Sequence, residues 1–99
     1  MNVKNNEVGK VLQWTINDET GVPVNLTGGS VTLYIKRQDG AVNTIVLTLN
    51  DPTAGKANRT QQAADFLPGE HTAVLKIIEA GGNTWYTDSF PISCARTIA

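Results

Sequence analysis

Cysteine is nearly absent from this chain: Cys94 is the single one, so no intrachain disulfide can form and a disulfide-stapled secreted scaffold is excluded. Histidine is as scarce, with His71 alone, and no Cys-x-x-Cys or His-x-x-x-His spacing exists. Any zinc site would need carboxylates to complete it. No segment approaches the length of a membrane span, and the opening MNVKNNEVGKVLQW has no apolar run of a signal peptide's length. Synthesis in the cytoplasm is therefore the expectation. An excess of one charge is missing too. Eight basic and nine acidic residues give a net charge of −1, and they are scattered, with Asp18-Glu19 and Lys36-Arg37 the longest runs of one sign. Such a surface has no electrostatic reason to approach nucleic acid or an anionic membrane, and neither partner is expected.

Helix formers are few: one methionine and four glutamates stand against twelve threonines and nine valines. β-Branched side chains suit a pleated surface, while nine glycines and four prolines supply turn punctuation. The length fits one domain. Residues 1–7 read as a polar N-terminal arm, and residues 8–99 as the single domain.

Along residues 8–17, Leu12, Trp14 and Ile16 alternate with Gln13, Thr15 and Asn17, the pattern of a strand with one buried face. Asp18-Glu-Thr-Gly21 is a turn. Val22-Pro-Val-Asn-Leu26 is extended, with Pro23 limiting it to a sheet edge. The next strand places Val31, Leu33 and Ile35 on one face, and the one after it Ile45, Leu47 and Leu49. A two-residue Asp39-Gly40 loop would set those rows on opposite faces. A three-residue Gln38-Asp39-Gly40 loop sets Leu33 opposite Ile45 and Val31 opposite Leu47, so burial selects the three-residue form with Gly40 left-handed.

Lys56 to Arg59 reads as a short strand, and the stretch 60–66 as one helical turn, too short to be an independent helix. Ala73, Leu75 and Ile77 share a face of the strand that follows His71. Gly81-Gly82-Asn83 turns the chain into a last strand, Thr84 to Cys94, where Phe90, Ile92 and Cys94 alternate inward and Pro91 implies a bulge or an edge. About seven short strands at this spacing indicate an all-β, immunoglobulin-like antiparallel sandwich. In such sandwiches a tyrosine ties the corner before the penultimate strand. In Leu67-Pro68-Gly69-Glu70-His71, histidine takes that place, so Pro68, Gly69 and His71 form the expected structural corner.

Chemistry is sparse. A Ser–His–Asp arrangement would have to pair His71 with Ser30, Ser89 or Ser93, and serine beside a core-facing strand explains those positions more simply. Gly28-Gly29 leads into a strand without the Gly-Lys-Ser/Thr ending of a phosphate loop. Trp85 and Tyr86 are neighbours on a strand and must point to opposite faces, so one of them is expected at the surface. There it could stack on a sugar, anchor a protein interface or cover a sheet edge.

From Asn17 to Gly40 the sequence NDETGVPVNLTGGSVTLYIKRQDG resembles the N-terminal immunoglobulin-like domain of bacteriophage baseplate upper proteins. That family shows a turn glycine, then Pro-Val-(Asp/Asn)-Leu-Thr-Gly, then an alternating strand ending in a basic residue and Asp-Gly. The likeness continues through Asp51-Pro-Thr-Ala-Gly55, Leu67-Pro-Gly-Glu-His71 and Phe90-Pro-Ile92, with His71 where the family prefers tyrosine. The resemblance implies a non-enzymatic structural component of a phage or prophage virion, in a tail, baseplate or fibre attachment. Its partners would be other phage structural proteins or copies of itself, and it implies no catalytic residue, metal or cofactor. Pro23, Trp85 and Tyr86 are the candidate interaction surface. The alternative is a small carbohydrate-binding module that uses Trp85 or Tyr86 as its platform.

Overall fold

The computed structural model describes residues 2–4, 8–37, 39–62 and 65–95. Among the described residues nine strands appear in chain order: β1 (Asn2–Lys4), β2 (Val11–Thr15), β3 (Ser30–Lys36), β4 (Val42–Val46), β5 (Thr48–Asp51), β6 (Lys56–Thr60), β7 (Gly69–Ile78), β8 (Thr84–Tyr86) and β9 (Phe90–Ala95). The larger sheet runs β1-β9-β7-β3-β4, with β8 also paired to β7, and the smaller runs β2-β6-β5. They form a small β-sandwich, antiparallel except for the parallel pair β1–β9.

The β3–β4 hairpin shows why register follows burial. Leu33 pairs with Ile45, and the Leu47 N–H donates to the Val31 carbonyl at 3.0 Å, so both apolar rows face the core. The Arg37 N–H donates to Ala41 O at 2.8 Å and closes a three-residue loop. Gly40 takes φ +89° there, where a side chain would be strained. Leu47 alone separates β4 from β5, and at this buried residue the chain crosses from one sheet to the other.

The core takes Leu12 and Ala57 from the smaller sheet, and Val31, Leu33, Ile35, Ile45, Ala73, Leu75, Ile77, Ile92 and Cys94 from the larger. Leu26 and Phe66 enter from loops. A fully buried leucine or isoleucine contributes about 1.5–3 kcal/mol. Gly55 closes the sandwich between Ile16 and Val24. It sits at φ +71°, and a Cβ there would lie 2.5 Å from Ile16 O, so backbone on both sides requires glycine.

Three local expectations are corrected. The first three described residues of the N-terminal arm are strand β1, because Val3 is buried and Asn2–Lys4 pairs in parallel with Ser93–Ala95; residues 5–7 lie outside the described residues. The 3₁₀ turn among the described residues is at Pro52–Ala54, where Pro52 pre-sets the backbone and Gly55 caps it. In 60–66, Thr60 ends β6 and the Asp65 N–H reaches back to Gln62 O at 3.1 Å; residues 63–64 lie outside the described residues. The final strand is two, β8 and β9. Lys76 pairs with Tyr86 and Ala73 with Phe90, so the five residues 86–90 run beside the four residues 73–76, one extra residue just before Pro91.

Candidate functional site

The corner before β7 is assembled from residues four apart. His71 is 7 % exposed, and its Nε2 lies 2.7 Å from the Leu67 carbonyl oxygen. A carbonyl only accepts, so Nε2 carries the proton and donates. The imidazole thus fastens the corner to the strand, with Pro68 and Gly69 making the bend between them. Gly69 takes φ +126°, a conformation glycine alone reaches without strain. Nδ1 is buried with no hydrogen-bond partner. Ser93 Oγ donates to Glu70 Oε2 at 2.7 Å and is engaged there. Corner residues with Arg37 and Asp39 border a hollow of about 220 Å³.

The two adjacent aromatics divide as strand geometry demands. Trp85 pairs with the buried Ile77 and is half-buried against the core; Tyr86 pairs with Lys76 on the outer face and is 59 % exposed. The Gly81-Gly82 turn carries the chain back so that Trp85 Nε1 donates to Glu79 Oε2 at 3.2 Å. Both aromatics line an open cleft of about 880 Å³ at the end of the sandwich. Asp18, Glu19, Glu79 and Asp88 line it too, and among the described residues no lysine, arginine or histidine does. Pro23 is exposed nearby, but its strand edge is engaged in a bridge to Asn17, and the next residue, Val24, donates to Ile16 O. The expected docking edge at Pro23 is thus already used within the chain.

The Asp18 turn holds one wall of the cleft. Asp18 Oδ1 accepts from Thr20 N–H at 2.9 Å, Thr20 Oγ1 at 2.7 Å and Val22 N–H at 3.0 Å. These bonds, the Thr20 hydroxyl first, hold its carboxyl below the ordinary value, so it stays anionic. The cleft can offer two aromatic rings and several acceptor oxygens. That suits a ligand rich in hydroxyl donors or a cation.

A second polar cluster gave no local signal. Arg59 Nε and Nη2 donate to the two oxygens of Asp65 at 2.9 and 2.8 Å, and Gln62 N–H adds a third bond at 3.0 Å. Burial works against the Asp65 charge. The Arg59 hydrogen bonds, the Gln62 N–H and the guanidinium charge together outweigh it and hold the carboxyl below its ordinary value. Beside it, Gln61 is fully buried and its Nε2 donates to Lys4 O at 2.7 Å. This cluster is structural: it ties the loop after β6 to β1 and, through Asn43 Nδ2 on Asp65 O, to β4.

Among the described residues no three of His, Cys, Asp and Glu gather as metal ligands, and no helix is long and apolar enough to cross a membrane. Burial pushes the Cys94 thiol up. Neither the family models nor the curated proteins compared with the chain include a match.

Proposed function

We propose that this chain is a non-enzymatic structural component of a phage or prophage virion that assembles through protein–protein contacts. The observation carrying the reading is the use to which the resembling segments are put. Asp18–Gly21, Leu26–Gly29, Gly40 and Leu67–His71 all become turns, corners or strand entries of the sandwich. Side chains suited to contact lie instead on the outer surface of the larger sheet, where Val42 and Val46 on β4 are more than half exposed and share a face with Tyr86 on β8, three strands further along. Mass spectrometry of particles purified after prophage induction tests the proposal. Peptides of this chain at a stoichiometry comparable to tail proteins are expected. Their absence from intact particles overturns it.

The acidic, aromatic cleft favours a second reading, a carbohydrate-binding module. Tyr86 offers an exposed ring, and the carboxylates beside it can accept from sugar hydroxyls. Titration with bacterial surface glycans should then shift tryptophan fluorescence, and Tyr86→Ala should abolish the shift with the core intact. A flat titration across the panel ends this reading.

A further inference from the structure

The sheet edges differ in how they are guarded. Exposed edges are commonly blunted by charge, proline, short length or irregular register. In this sandwich β1 has three residues and ends on Lys4, while β2 is entered through Lys10. β5 loses its register between Thr48 and Asp51 and ends on that aspartate. β4 has none of these devices. From Ala41 to Asn50 the chain carries no charge and no proline, and among the described residues nothing pairs with the outer side of β4.

The ladder says which groups that side presents. Arg37 N–H to Ala41 O and Leu47 N–H to Val31 O mark the hydrogen-bonded positions of the antiparallel β3–β4 pair. Alternation then turns the backbone groups of Asn43 and Ile45 toward β3, and those of Val42, Thr44 and Val46 away from it. Three N–H and three C=O groups are thus offered at one edge, above the exposed side chains of Val42 and Val46.

We propose that β4 pairs antiparallel with β4 of a second copy of this chain, centred on Thr44. In that register Thr44 meets its own counterpart and Val42 meets Val46 of the other copy, twice. Every outward N–H of one strand finds an outward C=O of the other. Moving the centre to Val42 or Val46 strands part of the set. The side chains agree with the backbone: both valine pairs fall on one face, and no charge meets a like charge because the strand has none. Two larger sheets become one continuous sheet through a two-fold axis. This pairing rests on the reading of the chain as an assembling component and supplies its first contact.

Sedimentation velocity on the full chain over an about hundredfold concentration range tests it, with amide hydrogen exchange as the residue-level readout. The chain should pass from monomer to dimer, and the Val42, Thr44 and Val46 amides should slow about tenfold or more in the dimer. Thr44→Pro removes an N–H that β3 does not use, and proline is tolerated on edge strands. Val46→Lys places charge on an exposed position. Both variants should keep the wild-type circular dichroism and remain monomeric. A wild-type chain that stays monomeric throughout, or a dimer that survives both substitutions, overturns the pairing. The particle experiment is independent: a monomeric chain present in virions ends this pairing alone, whereas a dimer absent from virions ends the virion reading alone.

Discussion

Asp65 and Asp18 each collect three hydrogen bonds from donors within six residues, yet Asp65 is 7 % exposed and Asp18 lies in solvent. Both carboxyls are held below their ordinary value. The bond count is the same and the stakes are not. Around Asp18, water can replace any donor that is lost. Around Asp65 it cannot, and removing one partner leaves another polar group without compensation. Burial, more than the number of bonds, decides which clasp the fold depends on.

Asp65→Ala is the largest expected break in that comparison. It strips Arg59 and the Gln62 N–H of their acceptor, and urea denaturation should show a loss of about 2–3 kcal/mol. The figure sits at the low end for a buried pair because Arg59 is 30 % exposed. A loss no greater than that of an ordinary surface substitution would make the two clasps equivalent. Acid titration sharpens the same point. The folded-state pKa of Asp65 lies below its ordinary 3.8, so its stabilisation is complete above that value and is lost as pH falls through the lower folded value. The stability gap between wild type and Asp65→Asn should therefore be constant near neutrality and close below about pH 4. A gap unchanged down to the acid limit would refute the charge argument.

Arg59→Lys keeps the charge and loses the two-pronged geometry, so it should cost about 1 kcal/mol in the same denaturation assay. Asp18→Ala should have the smallest effect, a shift in melting temperature below that of Arg59→Lys. A larger shift would show that the turn at Asp18 is as indispensable as the buried clasp.

The sequence carried the parts of the fold that follow from local alternation. Leu33 and Ile45 choose the hairpin register because a one-residue slip would expose a whole apolar row, and that argument needs only neighbouring residues. The same holds for the inward set Ala73, Leu75 and Ile77, and for the division of Trp85 from Tyr86. The corner at His71 was legible because its partner, Leu67, is four residues away. Gln61 was not legible. Its acceptor is the Lys4 carbonyl, and no local pattern marks a polar side chain for burial against strand β1. The Thr60–Phe66 stretch reads as a helical turn because periodicity sees neither the clasp of the Asp65 carboxylate by Arg59 nor the bond its backbone carbonyl accepts from Asn43 on β4. In the candidate cleft the aromatic pair was visible, whereas its acidic wall brings Asp18 and Glu19 to Glu79 and Asp88 only once both sheets are in place.

Strand β1 lies parallel to β9, with Asn2 beside Ser93 and Lys4 beside Ala95. Tension that draws Asn2 backward and Ala95 forward pulls these strands past one another along their length. The load then falls on the hydrogen bonds between them in shear, all at once, where an antiparallel hairpin pulled open at its free ends would give them up singly. Sliding must also drag Val3 and Cys94 out of the core and break the bond from Gln61 to Lys4. Three residues of strand thereby act as a mechanical latch, and the rest of the sandwich carries no extension until that latch has failed.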